Sequence, residues 1–253
     1  MLQIRISERI YIKDPESSDL GKKIVEEGLV LIDEIGFEQF TFKKLASKIR
    51  STEASIYRYF ENKHKLLIYL VSWYWSWLEY LLVFSTNNIV HAEERLSIAF
   101  RVITRPFVFN TEFDYINGEA LHRVVVAESP KAYLSKEVDE DNKEGYFLGY
   151  KRLCKRVSEL ASEIAPDYPY PASLVSTLIE SAHHQAFFSA HLPRLTDVPK
   201  NDLEALNAFL CDTALRVLKS YRHNPGNGNG NGNGHSPANG NGSRHKPNGR
   251  HRV

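Results

Sequence analysis

The sequence predicts an all-α protein, on three observations. Two short helical segments joined by a tight turn occupy residues 41–60. Long runs follow with apolar residues at every third or fourth position, broken by prolines and asparagines, and no strand pattern competes with them. An alternation at Leu2, Ile4, Ile6, Ile10 and Ile12 is short and stops at Asp14-Pro15, so it reads as an extended arm lying against the adjoining domain. With 253 residues, 42% of them apolar and 25% charged, the composition is that of a soluble globular protein with one or two cores.

The most informative stretch is Thr41–Leu67. Thr41 is an N-cap residue ahead of Phe42, Leu45, Ala46 and Ile49, whose i, i+3, i+4, i+7 spacing gives a helix with one buried face. Lys43, Lys44 and Lys48 fall on its other faces. Arg50 and Ser51 break the pattern, Thr52 caps again, and Glu53–Phe60 forms a second helix whose Ile56 and Tyr59 or Phe60 pack back on the first. This is a helix-turn-helix, the arrangement that lays one helix in the DNA major groove.

Charge agrees. Residues 41–65 hold seven Lys/Arg against two acids, whereas residues 1–40 hold five Lys/Arg against nine acids, and the whole chain stands at +1. The basic character is therefore local, as phosphate binding requires, although a solvated lysine face gives the same count.

From about Leu20 to about Phe84 the chain resembles the TetR family of bacterial transcriptional regulators. The residues that carry the likeness are Ile24–Ile35 followed by Gly36-Phe37, the threonine-capped Thr41–Ile49, and Ser55-Ile56-Tyr57-Arg58-Tyr59-Phe60-Glu61-Asn62-Lys63 with its Tyr-x-x-Phe ending and helix-opening lysine. The resemblance implies that Thr41, Thr52, Tyr57 and Lys63 hold backbone phosphates and that Ala54, Ser55 and Arg58 face the groove. Hydroxyls, helix N-termini and a lysine position a protein on phosphates, and side chains that reach base edges read sequence, so the division is physically consistent. Arg58 either donates two hydrogen bonds to guanine, worth about 1–3 kcal/mol of discrimination, or clamps a phosphate. Ser55 is too short to read much alone.

Two positions depart from the family pattern. Arg50 stands where glycine is frequent in the turn, and a left-handed backbone there costs a non-glycine residue about 1 kcal/mol. Glu53 stands where many members carry a basic residue; it either favours the helix N-terminus or accepts from cytosine N4.

Leu66–Phe84 is long and apolar enough to span a membrane, yet its aromatic centre and Glu79 argue for a helix buried on all sides. Trp73, Trp77, Tyr80 and Phe84 share a stripe on it. Further helices are expected at about 92–109, 116–129, 131–164, 171–192 and 201–222, with breaks at Asn87-Asn88, Pro106, Pro130, 165–171 and Pro193. Stripes at Leu174, Leu178, Ala182, Gln185 and Phe188, and at Leu203, Leu206, Phe209, Leu210, Leu215 and Leu218, either form a four-helix homodimer interface or close the core of one chain. Polar residues within the helical runs, including Arg105, His122 and His183, are candidates for an effector pocket with Trp73 and Trp77 as walls.

The expected organisation is thus an N-terminal arm (1–18), a three-helix DNA-binding head with the helix-turn-helix (19–65), an α-helical effector-binding and dimerisation domain (66–223), and a disordered tail (224–253). The tail is rich in Asn-Gly, lacks acids and carries Arg244, Lys246, Arg250 and Arg252, so it acts as a spacer or adds salt-sensitive attraction to DNA. Cys154 and Cys211 lack disulfide or zinc spacing, adjacent His183-His184 makes no metal site, no cofactor motif appears, and no export signal opens the chain, which together point to buried thiols in the cytoplasm. No nucleophile elbow, phosphate loop or convergent acid–base pair suggests an enzyme. The expected function is sequence-specific binding of double-stranded operator DNA by a homodimer that answers to an unidentified small-molecule effector, acting as a repressor. The alternative is an architectural or partner-controlled DNA-binding protein without such an effector.

Overall fold

Ten α-helices and three short 3-10 turns make up the described parts of the computed structural model, which are residues 6–105 and 115–223; no strand occurs among them. The tail beyond residue 223, the start of the arm and the expected end of the helix at 106–109 lie outside the described residues.

The head begins at α1 (Asp19–Gln39), whose N-cap Ser18 accepts from the Gly21 amide at 3.2 Å. Near its end Gly36 takes φ 75° and ψ 156°, a conformation essentially reserved for glycine, and the last turn kinks there. Helices α2 (Phe42–Ile49) and α3 (Glu53–Tyr57) come next, and Phe40, Leu45, Ile56 and Phe60 are fully buried between them and α1. The second helix ends at Tyr57, three residues short of the expected Phe60. Tyr59 and Phe60 leave the helix in a turn, with both amides donating to the Ile56 carbonyl, and still pack inward.

The arm is not simply extended. It makes two 3-10 turns, Glu8–Ile10 and Pro15–Ser17, and is fastened to the head where the Ile12 amide donates to the Tyr59 carbonyl at 2.8 Å. A second attachment joins it to the body: Arg9 pairs with Glu144 at 2.7 Å, and the Tyr146 hydroxyl donates to the Arg9 carbonyl at 3.0 Å.

Helix α4 (Lys63–Thr86) runs from the head through the centre of the body. Leu66 to Leu78 is buried without interruption, so the segment apolar enough to span a membrane is a core helix, with 83% of its most apolar window buried. Its aromatic stripe stacks as expected: Trp73 on Trp77, Trp77 on Tyr80, and Tyr80 on Phe84, which emerges 70% exposed. Helices α5 (Ala92–Thr104), α6 (Gly118–Tyr133) and α8 (Leu148–Ile164) pack against it, α7 (Val138–Lys143) precedes α8, α9 (Pro171–His191) packs on α8, and α10 (Leu203–His223) packs on α5 and α9. Gly149 of α8 sits so close to α4 that a Cβ there would lie 2.5 Å from the Ser76 hydroxyl oxygen.

Two expectations for this region need correction. Pro130 does not end a helix but lies inside α6, because the buried Glu128, Ser129 and Ala132 hold the last turn in place despite one missing amide donor. The expected run 131–164 is three pieces. Gly145, at φ 81°, reverses the chain between α7 and α8, and the acidic α7 is held by its buried Asp141, which pairs with Lys65 at 3.2 Å and His64 at 3.4 Å. The α9 and α10 stripes are divided: Leu178, Ala182, Leu206, Leu210 and Leu218 are buried within one chain, whereas Leu174, Gln185, Phe188, Leu203 and Leu215 are partly exposed and Phe209 is exposed. Both cysteines are free and half-buried, and burial pushes the Cys154 thiol up to about 11.

Candidate nucleic-acid interface and effector cavity

Local chemistry builds the surface of the helix-turn-helix. Thr41 Oγ1 accepts from the Lys44 amide at 3.2 Å, Thr52 Oγ1 from the Ser55 amide at 3.2 Å, and Asn62 Oδ1 from the Lys65 amide at 2.9 Å, so three consecutive helices start with a side-chain cap. The cap at Asn62 lies outside the sequence expectations, although an asparagine just ahead of the apolar run from Leu66 is the signal that marks it. Between α2 and α3 the turn does adopt the left-handed conformation, with Arg50 at φ 56° and ψ 48°, and the Ser51 amide donates back to the Ala46 carbonyl at 2.9 Å.

The outer face of α3 presents Thr52, Glu53, Ala54, Tyr57 and Arg58 to solvent, with Ser55 partly covered beneath the Thr52 hydroxyl at 2.9 Å. Tyr57 is 47% exposed, and its ring stands edge-on to Phe42 at 5.1 Å, which fixes its direction. Glu53 sits in the first turn of α3, where its charge suits the helix dipole.

The seven cations of the basic segment divide sharply. Lys48 is held by Glu27 and Glu34, Lys65 by Asp141 and the Tyr146 hydroxyl, and Lys44 donates to the Gln39 carbonyl. Lys63 donates to three carbonyls at the end of α1, those of Phe37 (3.0 Å), Glu38 (3.2 Å) and Phe40 (3.2 Å), and lies over the Phe37 ring. Its three donors are thus engaged within the protein, and Lys63 fixes the spacing of α1 and α4. Lys43, Arg50 and Arg58 make no ion pair or side-chain hydrogen bond among the described residues, which leaves them available to an anionic polymer.

The candidate effector residues do not converge. Arg105 pairs with Glu204 at 3.0 Å, and Trp73 and Trp77 stack in the core of α4. His122 and His183 do meet, with ring centroids 6.1 Å apart, and the Tyr74 hydroxyl lies 2.9 Å from His122 Nδ1. Neither ring nitrogen of His183 has a hydrogen-bond partner among the described residues. Burial holds the His122 imidazole down at about 4 and that of His183 at about 3, so both are neutral near pH 7.

Of those five residues His122 alone lines a cavity of about 420 Å³ that opens between α1, α6, α9 and the start of α10. The same cavity is bordered by Asp33, Gly36, Arg123 and Glu128, which join head to body. Arg123 makes a two-pronged pair with Asp33, at 3.1 and 2.7 Å. Glu128 Oε1 accepts from the Phe37 amide, exposed by the Gly36 kink, at 3.0 Å, while its other oxygen pairs with Lys131 at 2.6 Å. These partners lie some 90 residues apart in sequence, and no local pattern points to them.

The head that this geometry describes coincides with residues 24–70, which match the family model described as bacterial regulatory proteins, tetR family. Residues 24–70 form a TetR-family N-terminal domain. Two solved structures share the fold of the chain. The fatty acid degradation regulator FadR from Bacillus halodurans is 19% identical with a TM-score of 0.57, over 76% of this chain and 96% of that one. AibR in complex with isovaleryl coenzyme A and operator DNA is 15% identical with a TM-score of 0.51, over 78% of this chain and 97% of that one. At such identities the likeness shows a shared fold of head and body and says nothing of ligand choice. No curated protein matches the chain.

Proposed function

We propose that the chain is a homodimeric, ligand-responsive regulator of transcription that works in the cytoplasm, represses by occupying operator DNA, and catalyses no reaction. The observation that carries the reading is the exposed face of α3, bearing Ala54, Tyr57 and Arg58 between the capped N-termini of α2 and α4. Thr41, Thr52 and Tyr57 take phosphates, together with Lys43 and Arg50; Arg58 reads a base edge, with Ala54 and Ser55 lining the groove. Lys63 serves chiefly by holding α1 to α4, and reaches a phosphate only by giving up a carbonyl.

A head this small contacts few base pairs, so two copies about one DNA turn apart are required for selectivity. Leu192 and Phe209 remain exposed at the end of α9 and on α10, and provide apolar area for pairing. AibR, a protein of the same fold, has been captured with both operator DNA and a small molecule, which supports a two-site reading here.

The test is fluorescence anisotropy of the purified protein with intergenic DNA beside its own gene and with scrambled DNA, at two salt concentrations. Preference for the intergenic DNA that persists at the higher salt supports the proposal. Equal binding to both that collapses with salt reduces the function to attraction by a basic patch.

A further inference from the structure

The cavity between α1, α6, α9 and α10 deepens that reading, on which it rests, because its lining restricts what can occupy it. Its walls are largely apolar, with Ile32, Val124, Ala127, Phe187, Val198 and Leu206 among them, and about 420 Å³ suits a small organic molecule rather than an ion or a peptide. The charged side chains around it are already engaged. Arg123 is held by Asp33, Glu128 by Lys131 and the Phe37 amide, and Asp202 Oδ1 accepts from the Ala205 amide at 2.9 Å at the start of α10. His191, at the end of α9, packs its ring against Phe187. Among the described lining residues Arg123 is the one lysine or arginine, and its pairing with Asp33 leaves it unavailable to a phosphate or carboxylate. Apart from the exposed rim residues His191 and Asn201, one polar group remains: His122 lines the cavity, and only its Nδ1 is engaged, by the Tyr74 hydroxyl, which leaves Nε2 without a partner among the described residues.

We propose that this cavity is the effector site, that it takes an uncharged, largely apolar molecule whose hydroxyl or carbonyl group bonds to His122 Nε2, and that occupancy acts on the head through the Glu128 to Phe37 hydrogen bond. The imidazole is neutral near pH 7, so it matches a neutral partner and gains nothing from an anion. The route to the head is short. Gly36 and Glu128 both line the cavity, Glu128 holds the Phe37 amide, and Lys63, at the start of α4, holds the Phe37 carbonyl from the other side. An occupant that displaces Glu128 therefore alters the seam between α1 and α4, on which the position of α3 depends. Such an occupant shifts DNA affinity only by the ratio of its affinities for the two arrangements.

The experiment uses the full chain and the neutral fluorophore N-phenyl-1-naphthylamine. The expected result is saturable binding that 1-decanol displaces, with decanoate and decanoyl-coenzyme A at least about tenfold weaker. Ala127→Trp, which fills the cavity from an exposed edge, weakens the fluorophore at least tenfold, while His122→Leu weakens 1-decanol by about tenfold, the value of one hydrogen bond. Circular dichroism and thermal melting verify that both variants fold. Saturating 1-decanol then lowers affinity for the preferred DNA at least fivefold in the unsubstituted protein and not in Ala127→Trp.

Undiminished fluorophore binding in a folded Ala127→Trp overturns the location. Displacement by decanoyl-coenzyme A equal to or better than that by 1-decanol overturns the ligand class. Ligand binding with unchanged DNA affinity overturns the coupling. Loss of DNA selectivity in the ligand-free protein sinks the regulator reading itself, and it is read from a separate assay.

Discussion

Replacing Gly36 by alanine is expected to destabilise the protein by about 1–3 kcal/mol, the cost of holding a residue with a side chain in a region of backbone space that only glycine visits freely. Steric collision adds nothing to this, because a Cβ at Gly36 would meet only Glu128 Oε1, at 3.7 Å, an ordinary contact. The penalty is conformational, at φ 75° and ψ 156°. If the alanine chain relaxes toward helical geometry instead, the Phe37 amide turns away from Glu128, and a buried carboxylate loses a donor, which costs about 1–3 kcal/mol in its own right. The two costs are alternatives and are not summed. Urea and thermal denaturation read the result, and for a protein of this size each kcal/mol moves the midpoint by about 2–4 °C. A Gly36→Ala variant as stable as the parent by both methods would refute the claim that the kink is strained and that Glu128 depends on it.

Arg58→Ala is expected to narrow the gap between preferred and scrambled DNA by about 1–3 kcal/mol; an equal loss on both DNAs would make Arg58 a phosphate clamp instead. Arg50→Gly removes a left-handed arginine and should raise stability by up to about 1 kcal/mol in urea melts, while weakening all DNA binding through loss of an unpaired charge. Acid should destabilise the fold from about pH 6.5 downward, because His122 and His183 stay neutral in the native state to about 4 and about 3, whereas their unfolded counterparts take up protons near 6.5. The unfolded chain then binds more protons, so stability rises with pH across this window and is constant above it. At pH 5.5 each histidine accounts for about 1.4 kcal/mol of loss, and His183→Phe should flatten the acid limb of a melting-temperature profile by about half; an unchanged profile would mean that His183 is not buried as described.

How much of the molecule is legible in its sequence depends on the range of the interactions involved. The caps at Thr41 and Thr52, the left-handed turn at Arg50 and the buried character of α4 all arise from residues within a few positions of one another, and the sequence displays them directly. The cation count does not reveal which charges are available, because Glu27, Glu34 and Asp141, which hold Lys48 and Lys65, are brought there by the fold. Lys63 is a sharper instance: its position opening α4 is evident, but the three carbonyls it holds exist only where α1 kinks. Pro130 suggests a boundary because local propensity disfavours it inside a helix, and burial of the surrounding turn prevails. His122 stands out as a polar residue in an apolar run, yet the cavity it lines draws on four helices and exists only in the assembled structure.

All three tryptophans of the chain, Trp73, Trp75 and Trp77, lie within two turns of α4. Ultraviolet emission excited at the indole band therefore originates from one element, the one that joins the two halves of the molecule. Trp75 lies flat on Tyr150 and beside His183, so its yield depends on how α4 sits against α8 and α9. The protein thus carries a built-in optical gauge of its own central helix, and a change in that helix on loading with DNA or a small molecule can be followed without attaching any label.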